Sequence, residues 1–179
     1  MLFVSEIKTS APVQFQTPLQ EKVYRTLEEL HISFERVDTG EAITMEDCVQ
    51  IEARLKMKMV KTLFLCNRQQ TACYLFITAG KKPFSSRNFS TSLEIPRVSF
   101  APSEKMQAML GTKIGAATVF SALMDQENCV QIVFDHDVLK EKWYGCSDGT
   151  TTGYMKVSTD DIIHTFLPFT HHAVRIAEV

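Results

Sequence analysis

Three places in this 179-residue chain carry residue types at a spacing that could do chemistry: one lysine, one glycine-and-alanine loop and one hydroxyl-rich loop. Lys61 stands near the head of the apolar run 60–67, VKTLFLCN, and alternation along an extended chain puts it on the face of Leu63 and Leu65. Burying an ammonium is costly and lowers its pKa. A lysine placed there either has a task or carries its charge to water along its aliphatic stem, and the residues alone leave both readings open. The loop 111–121, GTKIGAATVFS, sets Gly111 and Gly115 beside Ala116 and Ala117. Such a loop can line a pocket with backbone N–H and C=O groups and little bulk, or simply stop a helix and make a tight connection. The loop 145–153, GCSDGTTTG, brings Cys146, Ser147, Asp148 and three threonines to a strand-to-strand turn, and a turn is all that most loops of this composition are.

Other chemistries find less support. Cys146 or Ser147 as a nucleophile, with His136, His164 or His171 as base, has nothing like a nucleophile elbow around it. His171 and His172 are neighbours on an extended segment and face opposite sides, so with His164 they make no ready metal site. No metal and no cofactor are expected. GxGxxG and GxxxxGK[ST] are both missing, which argues against nucleoside-triphosphate chemistry.

These residues need elements to position them. Residues 1–17, with Pro12, read as an arm, and 18–179 as one domain. From Pro18, Leu19, Val23, Leu27 and Leu30 recur at helical spacing. Ile32 and Phe34 then alternate as in a strand, and Thr44 with Asp47 looks like the cap of a helix running to about Lys56. The runs 60–67 and 72–80 are too apolar to alternate, as expected of strands covered on both faces. A short helix at 87–93, a strand at 98–100 and a helix from a Ser103 cap to a Gly111 stop follow. Then come the strand 130–135, a helical turn at 136, strands on either side of the loop 145–153, a helix capped by Thr159, and a closing strand. About seven strands alternate irregularly with four or five helices. The fold class is α+β (mixed α/β), a mixed β-sheet or partial barrel with flanking helices.

Nineteen Lys and Arg against twenty-one Asp and Glu give a net charge of −2, unlike a protein that coats DNA or RNA by neutralising phosphates. A local patch remains open, because Arg54, Lys56, Lys58, Arg68, Lys81, Lys82 and Arg87 lie close to the two apolar runs. The alternative is a solvated face. No apolar run approaches membrane-spanning length, and MLFVSEIKTS is not a secretion signal. Five cysteines without a CxxC pair read as reduced thiols, so a cytoplasmic location is expected.

The order KTLFL, ITAGKK, VSFAPSEKMQAMLGTKIGAATVFSALMD, QIVFDHDVL and TTTGYMKVSTDDIIHTFL resembles the YbaK/ProX superfamily of aminoacyl-tRNA deacylases, closest to its ProX-type branch. These are free-standing relatives of the editing domain of bacterial prolyl-tRNA synthetases, and the resemblance runs from about Val23 to Val179. It implies a trans-editing hydrolase, with alanyl-tRNA(Pro) as the leading substrate and prolyl-tRNA synthetase as a possible associate. Lys61 falls on the family's functional lysine, where it would contact the terminal phosphate or ribose or orient the ester. Gly111 and Gly115 match the glycines of the G-x-x-P-G loop, whose backbone at Gly115 and Ala116 would hold the amino group or the attacking water. Thr62, Ser121 and Ser147 would line the pocket, and Lys56, Lys58, Lys81 and Lys82 would receive the acceptor end. Ile114 and Val119 stand where the family commonly has prolines. Ser147 and Asp148 stand near its usual histidine, and these departures bear on which amino acid is removed. An activated ester needs a positioned water and charge stabilisation, not a covalent nucleophile or a metal. The alternative on the same fold is a tRNA-binding or synthetase-accessory protein with weak catalysis.

Overall fold

Two apolar strands, β2 (Val60–Asn67) and β3 (Cys73–Ala79), form the hairpin on which the rest is assembled in a computed structural model that describes residues 1–42 and 44–179. The other strands are β1 (Phe34–Asp38), β4 (Val98–Phe100), β5 (Val130–Asp135), β6 (Trp143–Ser147), β7 (Gly153–Ser158) and β8 (Val174–Ala177). Five of the eight build one sheet in the order β4-β2-β3-β5-β8, in which β4-β2 and β2-β3 pair antiparallel and β3-β5 and β5-β8 pair parallel. The remaining three form an antiparallel sheet, β1-β7-β6. A parallel bridge between Met59 and Gly145 joins the two. The expected mixed α+β architecture is present, divided into two sheets with no closed barrel among the described residues.

The absence of alternation in β2 and β3 has the anticipated cause. Phe64, Cys66, Leu75 and Ile77 face one core with Ile132, Phe134, Tyr144 and Phe166. Leu65, Tyr74 and Phe76 face a second core. Helix α3 (Ser86–Leu93) covers that second face with Phe89 and Leu93, its Ser85 cap accepting from the Asn88 amide. On the first face lies α1 (Pro18–Glu29), which buries Leu19, Val23 and Leu27 and is capped by Thr17 with Pro18 in its first turn.

Several helix boundaries differ from those read in the sequence. The segment after Thr44 makes turns before α2 (Val49–Leu55) begins, because Thr44 and Asp47 bond each other and hold residues 44–48 outside the helix. Cys48, Ile51 and Leu55 still supply the buried stripe, and Lys56, in a left-handed conformation, ends it. Pro102, not Ser103, is the N-cap of α4 (Ser103–Leu110), and Gly111 stops it at φ 67°. A 3₁₀ turn (Val119–Met124) occupies the end of the supposed loop. After α5 (His136–Leu139), the late helix is capped by Ser158 and composed of α6 (Thr159–Asp161), a π-turn (Ile162–Phe166) and α7 (Leu167–Phe169). In the N-terminal arm, Lys8 bridges to Arg36 of β1 and Val4 to Thr39 just beyond it.

Candidate active site

At the junction of the two sheets lies a cleft of about 390 Å³. Its floor is the first half of β2, its walls are Met45 and Cys48 before α2, Phe100, Met106, and the loop through Ile114, Gly115 and Ala117, and its far side is Cys146, Ser147 and Tyr154. Of the residues singled out in the sequence, Lys61, Thr62, Gly115 and Ser147 line it. Gly111, Ala116 and Ser121 do not. Gly111 terminates α4, Ala116 is fully buried, and Ser121 donates its hydroxyl to the Leu110 carbonyl in the interior.

Adjacent positions on β2 send Lys61 and Thr62 to opposite faces. Lys61 follows Leu63 and Leu65, while Thr62 follows Phe64 into the space between the sheets. Lys61 lies opposite Thr78 on β3 and donates from Nζ to the carbonyl of Lys82. Burial pulls its pKa below that of an ordinary lysine. An ammonium has three donors, so one bond to a carbonyl leaves two for a substrate. Thr62 sits near the phenol of Tyr144, whose fully buried hydroxyl has no well-formed hydrogen bond.

The glycine loop supplies backbone rather than side chains. Gly115 adopts φ 90°, a conformation that side-chain-bearing residues avoid. The Ala116 amide closes a turn on the Lys113 carbonyl at 3.1 Å, whereas the amides of Gly115 and Ala117 have no protein partner among the described residues. Ile114, in the position the family gives to proline, is largely exposed at the rim.

The hydroxyl-rich loop fixes this backbone. Thr118 donates to the Ser147 carbonyl at 2.9 Å and Thr112 to the Gly149 carbonyl at 3.3 Å. The Ser147 hydroxyl accepts from the Gly149 amide at 2.9 Å and donates toward the carbonyls of Thr150 (2.7 Å) and Ala116 (3.4 Å). Committed in this way, it is a brace and not a nucleophile. Cys146 is buried and its thiol pushed far up by burial, so little thiolate is present at neutral pH.

Asp148 was only one member of a polar loop in the sequence, yet it ties the loop to α1. Gln20 and Tyr24 donate to one carboxylate oxygen at 2.9 and 2.8 Å, and Thr150 donates its amide and hydroxyl to the other at 3.1 and 2.7 Å. Burial raises the Asp148 pKa, and these bonds only partly oppose the rise. Gly153 is required beside it, because a Cβ there would come within 2.2 Å of the carboxylate. The hint in the sequence was an Asp-Gly pair amid threonines; its partners, 124 and 128 residues away, left no signal.

The basic residues do not form one open patch. Lys58 pairs with Glu141 at 2.6 Å, Lys82 bridges Asp135 and Asp137 at 2.9 Å each, and Arg54 donates to the Ser5 carbonyl. Lys56 and Lys81 are exposed and have no carboxylate partner among the described residues. His172 is buried against Asp125 at 2.8 Å and braces the approach to β5. Among the described residues no three His, Cys, Asp or Glu side chains are grouped as metal ligands would be, and no helix is long and apolar enough to cross a membrane.

Residues 39–165 match the family described as the aminoacyl-tRNA editing domain. The chain belongs to that family. The match spans every residue that lines the cleft, β2, the glycine loop and the hydroxyl-rich loop included. Among relatives of this editing-domain protein, the prolyl-tRNA editing protein ProX of Acetoanaerobium sticklandii is 22% identical over 143 residues, 80% of this chain and 87% of its own. A solved structure of a candidate trans-editing enzyme for prolyl tRNA synthetase superposes with a TM-score of 0.64 at 17% identity, covering 92% of this chain and 99% of the other. A scaffold protein used for computational epitope grafting gives 0.66, also at 17% identity, with 91% and 98% covered. These likenesses show a shared fold. The editing domain makes the protein an aminoacyl-tRNA deacylase, a carboxylic ester hydrolase, and favours hydrolysis over the binding-only alternative.

Proposed function

We propose that the protein acts in trans on a tRNA carrying the wrong, small amino acid, with alanine on the proline tRNA as its leading substrate and prolyl-tRNA synthetase as the enzyme whose errors it removes. The observation that carries this reading is the composition of the cleft: among the described residues one basic residue, Lys61, and the glycine Gly115 line an otherwise mainly apolar space. The ester is already activated, so the chemistry needs a water held against the carbonyl and donors for the charge that develops on its oxygen. Lys61 would orient the ester and supply charge. The Gly115 backbone would hold the amino group through its carbonyl or the water through its amide, and Thr62 would be a lining hydroxyl. Gly111, Ala116, Ser121 and Ser147 would support that loop from outside the reacting groups. Exposed Lys56 and Lys81 would meet phosphates of the acceptor end, with Lys58 and Lys82 contributing only if they leave their carboxylates. The apolar walls would form a second sieve that admits a small side chain and rejects the cognate one. Covalent catalysis by Ser147 or Cys146 is disfavoured by their hydrogen bonding and burial.

The test is deacylation of proline tRNA charged with alanine, cysteine, serine or proline, by wild type and Lys61→Ala. The alanyl ester is expected to disappear fastest and the prolyl ester to survive, with the Lys61→Ala rate about 10²–10³-fold lower, the usual loss for one preorganised charge-stabilising group. Equal hydrolysis of the prolyl ester would overturn the sieve. A Lys61→Ala variant as fast as wild type would remove Lys61 from the chemistry.

A further inference from the structure

The side chain of Lys82 is held by two carboxylates in a clamp whose other end touches Lys61. Asp135, at the end of β5 and 1% exposed, accepts from the Thr78 hydroxyl at 2.6 Å and from Lys82 Nζ at 2.9 Å through the same oxygen, while its second oxygen takes the Asp137 amide at 3.0 Å. Asp137 adds a second carboxylate to Lys82 at 2.9 Å. Thr78 is the direct cross-strand partner of Lys61. The turn between them is fixed as well. The Lys82 amide bonds the Ala79 carbonyl at 3.0 Å, and the Gly80 amide bonds the Met59 carbonyl at 3.1 Å, so close that a Cβ on Gly80 would lie 2.6 Å from that oxygen. The Lys82 carbonyl is thus presented to the Lys61 ammonium by a turn held at both ends.

We propose that Lys82 and Asp135 are positioning residues: their ion pair sets the carbonyl that aims Lys61 Nζ at the ester. This rests on the reading of Lys61 given above. A side chain of four methylenes has many rotamers, and burial alone does not choose among them. A fixed acceptor leaves the other two N–H groups in a defined direction, which is what charge stabilisation in the transition state requires. Without the Asp135 pair, the turn keeps its main-chain bonds but loses the tether on the residue whose carbonyl matters.

The experiment compares wild type, Lys82→Met, Lys82→Arg and Lys61→Ala on the aminoacyl-tRNA that wild type cleaves fastest, below the unfolding temperature of each variant. Lys82→Met is expected to lower kcat about tenfold to a hundredfold with KM within twofold, the cost of a misplacement of about 1 Å at the reacting group. Lys82→Arg, which can still bridge both carboxylates, is expected to restore most of the loss. An unchanged kcat in Lys82→Met overturns the proposal. A raised KM with unchanged kcat also overturns it and makes Lys82 a phosphate contact instead. A loss that Lys82→Arg does not restore overturns it too. If Lys61→Ala itself matches wild type, it is the underlying reading of Lys61 that fails, and the two failures are told apart in one data set.

Discussion

Lys61 was legible because a charge near the head of an apolar strand is a conflict that stands out in any sequence. What it touches was not legible, since the partner is a main-chain carbonyl 21 residues away, held there by a carboxylate another 53 residues on. Its environment makes a pH prediction. Burial depresses the Lys61 pKa, so its proton leaves at a lower pH than that of a solvated lysine. If the charged form supports catalysis, the enzyme-catalysed rate falls as pH rises through a midpoint below the ordinary value of about 10.4. Lys61→Arg, charged throughout this range, should keep whatever activity it has without that alkaline decline. The measurement is the wild-type rate, less spontaneous hydrolysis, from pH 7 to 10, and a flat profile would separate the rate from Lys61 ionisation. Ser147 teaches the opposite lesson. Its hydroxyl type suggested a pocket contact, and only the three-dimensional placement of Thr150, Gly149 and Ala116 reveals that the group is already used.

Strands and most helices were readable from apolar period and caps, because those signals are local. The division of the strands into two sheets depends on long-range contacts that no period reports, chiefly the bridge of Met59 to Gly145. That seam depends on one glycine. A Cβ on Gly145 would lie 2.2 Å from Met57 Sδ and 2.9 Å from the Lys58 carbonyl. The methionine can swing aside, but the carbonyl belongs to the chain entering β2 and cannot yield without moving the cleft floor. Gly145→Ala is therefore expected to destabilise the protein by about 1–3 kcal/mol, as overpacking commonly does, and to slow deacylation more than the loss of folded protein accounts for. Urea unfolding with activity measured on the folded fraction checks both. A variant with wild-type stability and rate would show that the two sheets are free to separate by the width of a methyl group. The helix starts that differed, at Thr44 and Ser103, were read from capping residue types alone: Thr44 bonds Asp47 in a turn ahead of α2, and Ser103 is the first residue of α4 with Pro102 as its N-cap.

A protein of net charge −2 that works on tRNA has little long-range attraction to draw on, and two of its cations near the cleft, Lys58 and Lys82, are already answered by carboxylates. The low charge was plain from composition; the pairing was not, because Lys58 finds Glu141 and Lys82 finds Asp135 across the fold. Recognition then has to come from few phosphate contacts plus the fit of the aminoacyl group, and the salt dependence should report that. With Lys56 and Lys81 as two contacts to a single-stranded end, each releasing about 0.7 of a counterion, KM should rise only about sevenfold between 50 and 200 mM salt. A basic tRNA-coating protein with six to ten contacts would lose about 10³–10⁵ in affinity over the same range. Lys81→Ala should weaken binding for every aminoacyl group alike and lower the slope by about 0.7, leaving the ranking of alanyl over prolyl esters intact, because that ranking belongs to the cleft walls. KM measured against salt for wild type and Lys81→Ala decides the matter. A steep wild-type slope would mean that Lys58 and Lys82 abandon their carboxylates on binding. In that event the clamp on Lys61 would be a feature of the free enzyme, released by the same substrate that needs Lys61 aimed.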